Sequence, residues 1–166
     1  MPAPVEVARW AIASLVMLTL VVSSIGDIRN RRIPNWTVVA IALLFLPWAL
    51  IGIDVSVKSS LVAALTVLLA SFVLYTLRVV GAGDSKLISV VALFIGLPRL
   101  PQFLVYVALA GGALAIMSLV TRPARALVMF QMRGKGDFGR GVPYGVAITV
   151  GAIIELSAIL THQSFF

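Results

Sequence analysis

The feature that most limits the fold of this chain is a series of long apolar segments with short polar segments between them. A transmembrane helix needs about 20 predominantly apolar residues. Segments of about that length occupy residues 7–25, 36–55, 59–77, 81–97, 101–120 and 142–160. In lipid, every backbone polar group must be satisfied internally, and a helix does this within one segment. We therefore predict an all-α polytopic membrane protein with six transmembrane helices, forming a single domain over residues 1–166.

The composition supports a membrane protein over a soluble one. The chain is 61% hydrophobic and 11% charged, whereas soluble domains average about 25% charged residues. No small-residue cleavage pattern ends the first segment, so we expect it to be a retained helix rather than a signal peptide. The net charge is +7, and most of the charged residues lie between the apolar segments. This distribution argues against nucleic-acid binding and indicates that the basic residues set the orientation of the helices in the lipid membrane.

The loop charges predict the orientation of the segments. Cytoplasmic loops of membrane proteins carry an excess of Lys and Arg. The loops after the first, third and fifth segments hold ten of the 13 basic residues: Arg29, Arg31, Arg32, Arg78, Lys86, Arg122, Arg125, Arg133, Lys135 and Arg140. Both termini are therefore expected outside the cytoplasm.

Two aspartates are the candidate functional residues. Asp27 ends the first segment, in the string GDIRNRRIPN of residues 26–35, and Asp84 opens the fourth, in the string GAGDSKL of residues 81–87. An ionisable group at membrane depth is costly and is a functional-site hypothesis by default. Two segments separate the pair, so both carboxylates are expected at the cytoplasmic face, where together they suggest acid–base chemistry.

The direction of each helix predicts different roles for the two carboxylates. Asp27 is expected at the C-terminal end of its helix, where the partial negative charge opposes ionisation, and Asp84 near an N-terminal end, where the partial positive charge favours it. Two carboxylates that share a site titrate as a coupled unit. We predict that Asp84 activates water while protonated Asp27 polarises a carbonyl. Gly81 and Gly83 remove side-chain bulk beside Asp84 and leave room for an extended peptide.

Other chemistries have little support in the sequence. The chain has no cysteine and one histidine, so disulfides, thiolate nucleophiles and cysteine-ligated zinc are excluded, and we expect no metal or cofactor. Asp137, in the string GKGD of residues 134–137, repeats the Gly-x-Gly-Asp spelling in a basic loop. We interpret it as part of a polar turn. Glu155, inside the sixth segment, either pairs across helices or lies near the outer interface.

Three strings resemble those of the prepilin peptidases, or type IV leader peptidases. They are residues 26–35, residues 81–87 and the late string VPYGVA of residues 142–147. This family consists of aspartic membrane proteases of the Gly-x-Gly-Asp type. The resemblance implies that Asp27 and Asp84 are the catalytic pair. It also implies removal of a short basic leader from prepilins or pseudopilins at the cytoplasmic side of the bacterial inner membrane.

The resemblance and the local charge together indicate the residues that contact substrate: Gly81, Gly83, Lys86, Arg31, Arg32, Pro143, Tyr144 and Gly145. Because the first loop is short and cysteine is absent, the chain resembles the compact peptidases of tight-adherence (Flp-type) pili, without methyltransferase activity. Two alternatives stay open. One is a non-catalytic assembly component of a pilus or secretion system, and the other is a small proton-coupled transporter.

Overall fold

The structure is a computed structural model that describes residues 4–30, 32–51, 56–121 and 144–163. Within these ranges the chain forms helices and no strands. The helices are α1 (Pro4–Asn30), α2 (Asn35–Leu50), α3 (Val57–Thr76), α4 (Ala82–Thr121) and α5 (Tyr144–Gln163). The prediction of an all-α protein is confirmed.

The outer surface of the helices is apolar, as expected for contact with lipid. Leu18, Leu43, Leu69 and Leu109 are each more than half exposed. In water such a surface would be a large aggregation hazard. Four helical stretches are long and apolar enough to cross a membrane: Pro4–Asn30, Val57–Thr76, Ala82–Val120 and Tyr144–Thr161. The protein is therefore a multi-pass membrane protein.

The number of long helices differs from the six segments of the sequence because α2 is short and α4 is long. α2 has 16 residues, and α4 has 40 residues and contains the predicted segments 81–97 and 101–120. A straight helix of that length would measure about 60 Å, about twice the thickness of the hydrocarbon core.

α4 is divided by non-helical backbone at Gly96, with φ 70° and ψ 170°. This region of conformation is essentially restricted to glycine. The first arm of α4 (residues 82–95) runs antiparallel to α3, because Ser85 donates its hydroxyl to the Ser71 carbonyl while the Leu97 N–H, just past the kink, donates to Ser59 Oγ near the other end of α3.

The second arm of α4 (residues 97–121) runs antiparallel to α5. Arg99 contacts Glu155, and a Cβ at Gly111 would lie 3.3 Å from the ring of Tyr144.

The outer ends of the two arms meet beside the end of α1. Gly83, at the start of the first arm, packs against Ile33 in the loop after α1, and Gly145, next to the Tyr144 that meets the second arm, contacts Asp27. The two arms therefore run in opposite directions, and α4 is a helical hairpin.

The core joins the remaining helices around the hairpin. Phe94, on the first arm, packs edge-on against Phe45 and also contacts Trp48, with ring centroids 5.6 Å and 5.5 Å away. Trp48 is thus a packing residue, whereas Trp36, at the start of α2, is 60% exposed.

α1 and α5 lie side by side with opposite directions, since Ser24 and Leu20 of α1 meet Gly145 and Thr149 of α5.

Candidate active site

Asp27 lies in the last turn of α1 and is buried. Its Oδ2 accepts a hydrogen bond from the backbone N–H of Gly145 at 3.0 Å. Gly145 is in the first turn of α5, where backbone N–H groups have no acceptor within their own helix. The carboxylate of Asp27 therefore caps the start of α5 from another part of the chain.

The contact between Asp27 and Gly145 leaves no room for a side chain at position 145. A Cβ there would lie 2.9 Å from Asp27 Oδ2 and 3.3 Å from its Cβ and Cγ. Real Cβ atoms essentially never approach other atoms within 3.0 Å. The late string of the sequence thus contributes a glycine whose lack of a side chain lets α5 reach the aspartate.

Asp84 lies in the first turn of α4 and is partly buried. The backbone of Gly81 lies beside its carboxylate. A Cβ at Gly81 would lie 3.1 Å from Asp84 Oδ2, which is tighter than most side-chain contacts. The carboxylate of each aspartate therefore lies against a glycine at the start of a helix.

The loop between α1 and α2 connects the surroundings of the two aspartates. A Cβ at Gly83 would meet Ile33 Cβ at 3.2 Å, and a Cβ at Gly26 would meet Pro34 Cδ at 3.3 Å. One short loop therefore packs against the residues that precede both Asp27 and Asp84. The two carboxylates are near enough for their negative charges to repel each other.

The model of the type IV leader peptidase family matches residues 14–116, more than half of the chain, and the match includes both aspartates. The chain belongs to the type IV leader peptidase family. Its members are peptidases, so this family member is assigned to the hydrolases, and the resemblance found in the sequence is confirmed. Among curated proteins and among solved structures, no significant match to the chain is found.

In this leader peptidase family member, the electrostatic surroundings of the two aspartates are more alike than the directions of their own helices predict. Asp27 lies at the C-terminal end of α1, which carries partial negative charge, as its place in the sequence predicts. The N-terminal end of α5, with its partial positive charge, faces the same carboxylate through Gly145. Because both carboxylates meet the N-terminal end of a helix, chain direction does not separate their roles.

The other predicted substrate-contact residues lie near the pair to differing degrees. Lys86 follows Asp84 by two residues and is exposed, and Arg32 is exposed in the loop beside Gly26. Tyr144 packs its ring against Gly111 on the second arm of α4. Arg31, Pro143 and the second Gly-x-Gly-Asp aspartate, Asp137, fall outside the described residues.

Glu155 lies near the middle of α5, about three helical turns from the Gly145 that contacts Asp27. It is fully buried, and its Oε1 pairs with Arg99 Nη1 at 3.3 Å. Of the two interpretations open for Glu155, pairing across helices is the one that the structure supports. This ion pair ties α5 to the second arm of α4 just after the Gly96 kink.

Four buried hydroxyl residues near Asp27 were not singled out in the sequence: Ser23, Ser24, Thr37 and Thr149. Ser23 and Ser24 lie one helical turn before Asp27, and this spacing was a usable signal. Thr37 Oγ1 donates to the Pro34 carbonyl at 2.7 Å and lies 3.4 Å from Ser23 Oγ, which holds the loop against α1. Among the described residues, no group of three or more His, Cys, Asp or Glu gathers to hold a metal ion.

Proposed function

We propose that this protein is an aspartic endopeptidase that removes the short basic leader from type IV prepilins of the Flp type. The observation that carries the proposal is that one short loop packs beside both Asp27 and Asp84, each of which lies against a glycine at a helix start, within the match to the leader peptidase family. Two carboxylates that act on one water molecule supply the acid and the base that peptide hydrolysis needs.

The proposed membrane topology has six crossings. The arms of α4 run in opposite directions, so α1, α2, α3, the two arms and α5 give six alternating passes. With the positive-inside bias of the loops, both aspartates face the cytoplasm and both termini lie on the other side of the bacterial inner membrane. This end of the bundle is where the basic leader of a prepilin would be presented.

In the proposed reaction the carboxyl pair begins with one proton. The ionised carboxylate takes a proton from water while the water oxygen attacks the scissile carbonyl carbon, and the protonated carboxyl donates its proton to the carbonyl oxygen. When the tetrahedral intermediate collapses, the C–N bond breaks and one carboxyl protonates the nitrogen. The other carboxylate recovers a proton from the intermediate, which restores the pair. We assign the shared proton to the pair rather than to one aspartate.

The basic residues beside the pair suit the proposed substrate. Lys86 and Arg32 are exposed near the two aspartates, and we propose that they, with Arg31, bind an acidic residue close to the cleavage site. Gly145 brings the start of α5 to Asp27, and we propose that Pro143, Tyr144 and Gly145 contact substrate. The absence of cysteine supports a peptidase without the methyltransferase activity of longer family members.

The proposal is tested by co-expression with an Flp-type prepilin and measurement of leader removal. We expect cleavage by the wild-type protein and none by Asp27→Asn or Asp84→Asn. The matched control is Asp137→Asn, which changes the aspartate of the same Gly-x-Gly-Asp spelling and is expected to leave cleavage intact.

Each alternative function has its own result in this experiment. Cleavage that survives both substitutions would exclude the aspartic mechanism. If the wild-type protein does not cleave the prepilin, but deletion of the protein still prevents pilus assembly, the assembly component is favoured. Proton flux in vesicles that both substitutions abolish would favour the transporter.

A further inference from the structure

Two buried hydroxyl groups join α1 to α5 next to the Asp27–Gly145 contact. Ser24 Oγ donates to Thr149 Oγ1 at 2.7 Å and lies 3.3 Å from the Gly145 carbonyl. Thr149 Oγ1 in turn donates to the carbonyl of Leu20 at 3.2 Å. Ser24 is 7% exposed and Thr149 is 5% exposed. The three groups form a chain of hydrogen bonds that crosses between the two helices.

This chain of hydrogen bonds lies one turn deeper in the bundle than the aspartate. Ser24 precedes Asp27 by three residues and Thr149 follows Gly145 by four, and the helices run in opposite directions. The hydroxyl pair and the Asp27–Gly145 pair are therefore successive layers of one interface, separated by about one helical turn, or roughly 5 Å.

Several hydroxyl groups in the described helices bond only to carbonyls of their own helix among the described contacts. Thr19, Thr66 and Thr161 donate to carbonyls three or four residues earlier, at Leu15, Val62, and Ser157 and Ala158. Such bonds leave the position of a neighbouring helix unspecified. Ser24 and Thr149 instead use their hydroxyls across the interface, where polar contacts and close packing determine how membrane helices associate.

The contact that these hydroxyls accompany tolerates little displacement. Gly145 approaches Asp27 so closely that a Cβ would overlap the carboxylate. A shift of α5 along α1, or a rotation of α5, would withdraw the Gly145 N–H from Oδ2. A direction-specific bond one turn away restrains both movements.

We infer that Ser24 and Thr149 are positioning residues that set the register of α5 on α1 and thereby direct the Gly145 N–H at the Asp27 carboxylate. The inference rests on the proposed function for its consequence in catalysis. The register itself is a property of the protein without substrate, so it is measurable independently.

The first experiment measures cleavage kinetics on purified protein with a prepilin substrate. Thr149→Val keeps the branched shape and removes the hydroxyl, and we expect kcat to fall on the order of 10- to 100-fold with KM little changed. Thr149→Ser keeps the hydroxyl, and we expect it to recover most of kcat. The matched control is Thr66→Val, which removes a hydroxyl that bonds only to Val62 of its own helix among the described contacts.

The second experiment measures amide exchange of Gly145 by NMR in detergent, without substrate. The Gly145 N–H has no acceptor in its own helix, so its protection depends on Asp27. We expect Thr149→Val and Ser24→Ala each to speed its exchange at least severalfold, while Thr66→Val leaves it unchanged.

Unchanged exchange in Thr149→Val and Ser24→Ala would overturn the inference. Thr149→Ser impaired as strongly as Thr149→Val would also overturn it, because side-chain shape would then explain the loss. If the wild-type protein cleaves no prepilin but Thr149→Val and Ser24→Ala still speed the exchange of Gly145, the positioning role is supported and the proposed peptidase function is rejected. The two failures are therefore distinguishable.

Discussion

The Gly145 N–H donates to Asp27 Oδ2 across 118 positions of the chain, and this bond holds the start of α5 against the last turn of α1. It brings a third string of the sequence to a site otherwise built from residues 26–35 and 81–87. The family match ends at residue 116, so the place of α5 in the site rests on this contact and on the hydroxyl pair beside it.

Gly145→Ala is expected to disrupt the site while leaving the bundle folded. The new Cβ would meet Asp27 Oδ2 at 2.9 Å, so either the carboxylate or α5 must move. A displacement of about 1 Å at a catalytic group costs on the order of 100-fold in rate, and we expect a loss of that size in leader removal.

The matched control for Gly145→Ala is Gly112→Ala in the second arm of α4, where a Cβ meets nothing within 4 Å. We expect that variant to cleave at the wild-type rate. Equal rates for Gly145→Ala and the wild type would contradict the close contact between α5 and Asp27.

Asp27→Asn and Asp84→Asn are expected to behave as one unit. Groups that act together in a single step give strongly non-additive losses, so the double variant should cleave no more slowly than either single variant. Single-turnover assays with purified protein measure this. Losses that multiply in the double variant would indicate that the two carboxylates act independently.

The Gly96 kink is expected to make Gly96→Ala destabilising. With φ 70° and ψ 170°, a residue with a Cβ is strained there by about 1–3 kcal/mol. Unfolding in detergent with increasing SDS measures the change in free energy. Gly112→Ala again serves as the control. An unchanged unfolding midpoint for Gly96→Ala would argue against the hairpin form of α4.

Removing one partner of the Arg99–Glu155 pair is expected to lower the stability of the protein, whereas replacing both with apolar residues is expected to change it little. Glu155 is fully buried, and its Oε2 has no hydrogen-bond partner among the described residues. Removing Arg99 alone, as Arg99→Met, leaves the Glu155 carboxylate without its partner and should destabilise the protein by about 1–3 kcal/mol. The loss is smaller than for a fully buried pair because the Arg99 side chain is 33% exposed to solvent.

The double variant Arg99→Met with Glu155→Leu should recover most of that loss, because apolar replacements of a buried pair are often neutral. SDS unfolding of the four proteins of this cycle measures the coupling. Leader removal per folded molecule is expected to stay constant, since Glu155 lies about three helical turns along α5 from the Gly145 that contacts Asp27. A loss of cleavage without a loss of stability would contradict this separation.

Local composition was enough to predict part of this protein. Long apolar segments require helices in lipid, and a carboxylate at the edge of such a segment is too costly to be incidental. For that reason the all-α class and the membrane location were predictable from the sequence. The family was predictable from the resemblance of three short strings, at residues 26–35, 81–87 and 142–147.

The contacts between distant residues were decided only by the tertiary structure. The sequence shows which end of α1 carries Asp27, but the helix end that meets its carboxylate belongs to α5, 118 positions further along the chain. The partner of Glu155 is 56 positions away, and the hydroxyls of Ser24 and Thr149 are 125 positions apart. The electrostatics and hydrogen bonding at each site depend on which helix faces which, and that arrangement follows from packing across the whole bundle rather than from the neighbouring residues in the chain.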